Sequence, residues 1–131
     1  VLIVCPEGSP ADRDGVHLGA GIEAEVVPVA VAAGDSLAPE AIITALRARG
    51  LQRIVCEGGP ALASQFVEAG VIDEYCLTVA PTVEAASAPL FAVRADARPD
   101  TEVAGMLADA AGLSYLRLRA LRADPAHEAT T

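Results

Sequence analysis

The feature that most constrains this chain is a pair of glycines between an apolar run and a helical pattern. Residues 53–57 (RIVCE) form a short run rich in β-branched side chains, and Gly58-Gly59-Pro60 follows at once. Residues 61–70 then repeat apolar side chains at helical spacing, which places Leu62, Phe66 and Val67 on one face. This order predicts a strand, a tight turn and the start of a helix within residues 53–70.

The start of that predicted helix has the chemistry of an anion site. The first helical turn carries backbone N–H groups without partners and the positive end of the helix dipole. Glycines before it let an anion approach the backbone closely, so the segment predicts a phosphate cradle, with Glu57 beside whatever is bound. The alternative is a glycine turn that only lets the strand and the helix pack closely.

Composition limits the class of protein and its partners. The 131 residues fit one domain, and hydrophobic residues make up 53% against 3% aromatic, so the core must be aliphatic. A net charge of −9 disfavours nucleic acid and anionic membranes as partners. No apolar run approaches the ~20 residues of a membrane span, and we predict a cytoplasmic protein.

Cysteine and histidine give no reason to expect a metal site. Cys5, Cys56 and Cys76 form no CxxC pair and lie in apolar runs, which favours buried core residues in a reducing compartment. His17 and His127 have no cysteine or carboxylate at metal-ligand spacing, so we predict no metal.

The remaining pattern predicts an α/β protein whose last strands are antiparallel. Helices are predicted over residues 36–49 and from Gly59 to Gly70, a long loop over 82–101, and a disordered tail over 123–131. Strands are predicted over residues 1–5, 25–30, 53–57, 73–80, 102–107 and 113–121. Residues 1–122 would form the domain, and because the chain begins inside a strand without methionine, we expect a piece of a longer protein.

Two runs together carry a family resemblance. Residues 54–62 read strand-E-G-G-P-helix, and residues 66–81 continue to G-x-x-D-E, a strand and A-P. This pattern resembles the riboflavin-biosynthesis reductase domain, the C-terminal domain of the bifunctional deaminase–reductase, most strongly over residues 40–83. The resemblance implies a dihydrofolate reductase-like fold, with a mixed sheet flanked by helices and antiparallel C-terminal strands.

The resemblance also implies an activity and a site. It implies NADPH-dependent reduction of a pyrimidine or pteridine, such as 5-amino-6-(5-phosphoribosylamino)uracil, in a homodimer. Glu57 matches the family's glutamate at the substrate end of the site. The positions implied for the cofactor pyrophosphate are Gly58, Gly59, Pro60, Ala61 and Leu62. The family usually has threonine where this chain has Ala61, which offers no hydroxyl.

The sequence leaves alternatives to the reductase open. The chain could be a nucleotide-binding module of the same fold without turnover, or a dimerisation module whose C-terminal strands pair with a second copy. Dihydrofolate reductase-like activity is a further alternative. Arg117, Arg119 and Arg122 could form a phosphate-binding stripe, but we favour an exposed face of an edge or interface strand.

Overall fold

The computed structural model describes residues 1–16, 18–19, 22–31, 37–83 and 99–121. Its contacts divide the chain into two units, Val1–Cys56 and Glu57–Thr131, and each unit is described by itself. None of the helices in the described ranges is long and apolar enough to cross a membrane.

The first unit is built on a pair of parallel strands. Its elements are β1 (Leu2–Pro6), α1 (Pro10–Asp14), β2 (Glu25–Val29) and α2 (Pro39–Arg47). β1 pairs with β2 in parallel, with Leu2 opposite Glu25. The buried core contains Cys5, Val27 and Val29, and Val27 is only 1% exposed. The two predicted strands are confirmed.

Helix α2 returns the chain to the start of β2. Pro39 occupies its first turn, where a missing N–H costs nothing, and Gly50 takes a φ of +83° just beyond its end. Arg49 Nε donates a hydrogen bond to Glu25 Oε1 at 2.9 Å, which joins the end of the helix to the first residue of β2. The predicted helix is confirmed, although it begins later than predicted, after the N-cap Ala38.

The second unit contains a helix and an antiparallel sheet. Its elements are α3 (Pro60–Glu68), β3 (Glu74–Val79), β4 (Thr101–Ala108) and β5 (Ser114–Ala120), and the sheet order is β3-β5-β4. One face carries the half-buried Tyr75, Leu77, Leu116 and Leu118. The predicted antiparallel strands are confirmed. Residues 84–98 of the predicted loop and the predicted tail lie outside the described residues.

Three burial and pairing predictions are wrong. Residues 53–57 are not a strand, and all of them are exposed. β-Branched residues favour extended backbone, but a strand also needs a paired neighbour, and none of the described strands pairs with this segment. Cys56 and Cys76 are exposed, so only Cys5 is a core thiol. Leu62 is 40% exposed, whereas Phe66 and Val67 on the same helix are buried as predicted.

A single carboxylate holds the turn between β4 and β5. Asp109 Oδ1 accepts hydrogen bonds from the backbone N–H groups of Ala111 (2.9 Å) and Leu113 (3.0 Å). Asp109 Oδ2 accepts one from the Tyr115 hydroxyl at 2.9 Å. The Tyr115 hydroxyl, followed by the backbone donors, lowers the pKa of Asp109. Gly112 takes a φ of +87° and closes the turn.

We expect the Asp109→Asn substitution to destabilise the protein at pH 7, and to do so progressively less as the pH is lowered from 4 to 3. Because the pKa is lower in the folded state, the ionised carboxylate stabilises the fold fully above about pH 4. This contribution is lost as the pH falls through the folded-state pKa. Thermal unfolding of both proteins from pH 7 to 3 checks this, with Tyr115→Phe as a variant that deletes the leading hydrogen bond. A melting-temperature difference that stays constant with pH would contradict it.

Candidate functional site

The predicted cradle lies at the start of α3. Gly59 is the N-cap residue, with φ −65° and ψ 175°, and Pro60 stands at the first helical position. The first helical hydrogen bond runs from the Ala63 N–H to the Gly59 carbonyl oxygen at 3.1 Å. The N–H groups of Ala61 and Leu62 donate to no acceptor within the described residues. Two aligned donors therefore face outward at the positive end of the helix.

Nothing in the first turn of α3 competes with an incoming anion. No side chain caps the helix, and the first turn holds no acidic residue. The Ser64 hydroxyl donates to the Pro60 carbonyl oxygen at 2.6 Å, so this hydroxyl bonds within the helix. Residues 57–62 are all exposed. The segment can therefore receive an anion through backbone N–H groups alone.

Gly59 leaves an opening that a side chain would fill. Its φ of −65° is accessible to any residue, so conformation does not require glycine here. Apart from its two chain neighbours, no described residue has an atom within 4 Å of the position that its Cβ would take. Neither backbone conformation nor packing against the described residues therefore requires a glycine here, and the space beside the N–H groups is open.

Gly58 is constrained from within the chain instead. A Cβ built on Gly58 would lie 2.5 Å from Leu62 Cδ2 and 3.0 Å from Leu62 Cβ. The Leu62 side chain therefore occupies the space beside Gly58. Sequence reasoning placed Leu62 on the buried face of the helix and missed this contact, because the two glycines look equivalent in sequence.

Glu57 precedes the glycines as predicted, but it is not the last residue of a strand. Its side chain is exposed, and within residues 57–83 and 99–121 it forms no ion pair or hydrogen bond. A carboxylate in this state is available to accept hydrogen bonds from a ligand. One residue, Gly58, separates it from the helix N-cap, so it lies next to the opening at Gly59 along the chain.

The arginine stripe of β5 is an exposed strand face. Arg117 and Arg119 are both exposed, and Arg122 lies outside the described residues. Arg119 Nη1 lies 3.0 Å from Glu102 Oε1, and its Nε lies 4.0 Å from Glu74 Oε1. Arg119 thus links β5 to both neighbouring strands, which favours the structural interpretation for this residue. No group of three potential metal ligands occurs within the described part of the chain.

Comparison with known proteins gives two matches. The family model of the RibD C-terminal domain matches residues 14–92, a range that includes Glu57 and all the predicted cofactor positions. A solved structure of a pyrimidine reductase-like protein from Corynebacterium diphtheriae matches with a TM-score of 0.62 and 22% sequence identity. The match covers 92% of this chain and 49% of that chain. No curated protein sequence matches significantly.

These matches fix the fold. The similarity to the solved structure, at 22% sequence identity, is evidence about the fold. The mixed α/β, dihydrofolate reductase-like class that we predicted from the sequence is confirmed. The chain spans about half the length of the pyrimidine reductase-like protein.

Proposed function

The chain belongs to the RibD C-terminal domain family, and from that premise we propose that it is part of an NADPH-dependent reductase of the riboflavin pathway. The substrate class that we propose is a pyrimidine or a pteridine, with 5-amino-6-(5-phosphoribosylamino)uracil as the first compound to test. Membership of the family supports an oxidoreductase, and the likeness to a pyrimidine reductase-like protein favours the pyrimidine. A cytoplasmic location stays a prediction.

The observation that carries this proposal is the opening at Gly59. It combines two N–H donors at the start of α3 with a glycine that no described contact requires. A dinucleotide presents a pyrophosphate, which backbone N–H groups at a helix start bind well. We propose that Gly58, Gly59, Pro60, Ala61 and Leu62 form this pyrophosphate site.

Local donors are needed because the whole chain repels anions. The net charge is −9, and the first turn of α3 contributes no cationic side chain. Ala61 also brings no hydroxyl to a phosphate. Binding would then rest on backbone dipoles, whose orientation the helix fixes before the ligand arrives.

Glu57 is proposed to contact the substrate rather than the phosphates. When bound, NADPH supplies a hydride from C4 of its nicotinamide, and the reduced carbonyl or imine centre also takes up a proton. Glu57 would accept hydrogen bonds from N–H or O–H groups of the substrate and so orient it. Water or a nearby acid would deliver the proton.

A homodimer is proposed as the working assembly. β4 is an outer strand of its sheet, and three apolar side chains on it, Val103, Met106 and Leu107, are 66%, 71% and 73% exposed. An apolar outer strand without lysine or proline is suited to pairing with another copy. Sedimentation velocity over a range of concentrations tests this, and a monomer at every concentration would count against it.

A module that binds the nucleotide without turnover is the second candidate. The chain spans about half of the pyrimidine reductase-like protein, so a share of the catalytic groups can lie beyond the matched part. Dihydrofolate reductase-like activity is a third possibility of the same fold, and it is tested by adding dihydrofolate to the same assays.

The first experiment is a titration of the purified chain with NADPH, followed by cofactor fluorescence, with NADH in parallel. Saturable binding in the micromolar range, or about −8 kcal/mol, is expected for NADPH. Consumption of NADPH on addition of the pyrimidine substrate would support the reductase, and binding without consumption would favour the module. Absence of saturable binding would contradict the cofactor assignment.

A further inference from the structure

We propose that the side chain of Leu62 is a positioning group: it acts on the cofactor through Gly58, whereas the backbone N–H of Leu62 is one of the proposed pyrophosphate donors. This inference rests on the function proposed above. Gly58, unlike several other glycines of the chain, does not have a positive φ. Backbone conformation therefore does not require a glycine at this position.

The contact with Leu62 accounts for the glycine. The three atoms nearest to a Cβ built on Gly58 are Cδ2, Cβ and Cγ of Leu62, at 2.5, 3.0 and 3.2 Å. The closest contact, with Cδ2, would force the leucine side chain or the turn to move if residue 58 carried a Cβ, and truncating Leu62 to alanine would remove this contact. The remaining contact with Leu62 Cβ, at 3.0 Å, requires a smaller adjustment of the turn.

Helix geometry explains why Leu62 reaches this position. Side chains on a helix tilt towards its N-terminus and cover the turn that precedes them. Leu62 lies in the first turn of α3, so the region that it covers is the segment just before the helix. The side chain is 40% exposed, which shows that it is not a core residue and that its contact with Gly58 is a local one.

The proposed consequence is a fixed direction for the backbone donors. The leucine side chain limits the movement of Gly58, and the next residue, Gly59, is the N-cap that faces the opening. A turn held in this way presents its N–H groups without reorganisation when the pyrophosphate binds. Preorganisation of this kind raises affinity because the turn loses less conformational entropy when the ligand binds.

The test is a set of variants measured by NADPH titration. Leu62→Ala should weaken binding by about threefold, and Leu62→Met, which keeps most of the bulk of the side chain, should weaken it less than Leu62→Ala does. Gly58→Ala should weaken binding by about tenfold in the wild type but by no more than about threefold in the Leu62→Ala background. Gly105→Ala is the matched control, because a Cβ there meets no atom within 4 Å.

Each outcome decides between distinct explanations. If Gly58→Ala costs the same in both backgrounds, the new methyl group meets the ligand itself, and the positioning role is wrong while the cofactor site stands. If Leu62→Ala binds like the wild type, the positioning role is also wrong. If the wild type does not bind NADPH, the proposed function fails and the inference fails with it. Circular dichroism and melting temperature show that each variant is folded.

Discussion

The Gly59→Val substitution is expected to abolish measurable NADPH binding while the protein stays folded. The new side chain would point into space that no described residue occupies, beside the N–H groups of Ala61 and Leu62. A φ of −65° is compatible with valine, so the backbone need not change. The cost to the fold is limited to a poorer N-cap, about 1 kcal/mol.

A second substitution at the same position separates the site from the fold. Serine is a better N-cap than glycine, because its hydroxyl oxygen accepts a hydrogen bond from an N–H group of the first turn. Gly59→Ser should therefore raise the melting temperature slightly and yet weaken NADPH binding, since the hydroxyl competes with the phosphate for the same donors. Fluorescence titration and thermal unfolding of the two variants measure both effects. Wild-type affinity in the Gly59→Val variant would rule out the cradle.

The sequence was sufficient for elements whose pattern is local. Helix α3 and strands β3 and β5 follow from apolar side chains at helical or alternating spacing, and from glycines that end a helix. The β-branched run 53–57 has the same local signal as a strand, but pairing depends on residues far along the chain. No spacing rule in residues 53–57 could have shown that the described strands do not pair with them.

The sequence predicts one site at Gly58–Leu62 and treats its two glycines alike, but the structure gives them different surroundings. A Cβ on Gly58 would meet the Leu62 side chain, whereas a Cβ on Gly59 would meet no described residue beyond its chain neighbours. This difference depends on the direction of two Cα–H bonds relative to one side chain, which no residue spacing encodes. The 40% exposure of Leu62 was not predicted for the same reason, since the spacing of apolar residues does not show where one side chain points.

The Phe66→Ala substitution is expected to destabilise the second unit more than any other single truncation in α3. Phe66 is 8% exposed, and the other buried apolar side chain in the described part of this unit is the smaller Val67. Replacing a buried phenylalanine with alanine removes apolar burial and leaves a cavity, which together cost about 3 to 5 kcal/mol. Urea unfolding followed by circular dichroism measures the change as a lower midpoint at an unchanged slope.

Leu62→Ala on the same helix is the matched control, since that side chain is 40% exposed. Its truncation should cost about 1 kcal/mol, because less apolar surface returns to water and no closed cavity forms. The comparison tests the orientation of α3 about its own axis. If the two truncations cost equal amounts, or if Leu62→Ala costs more, then the buried face of α3 is the one predicted by periodicity. In that case Leu62 would belong to the core and could not be the residue that holds Gly58 in place.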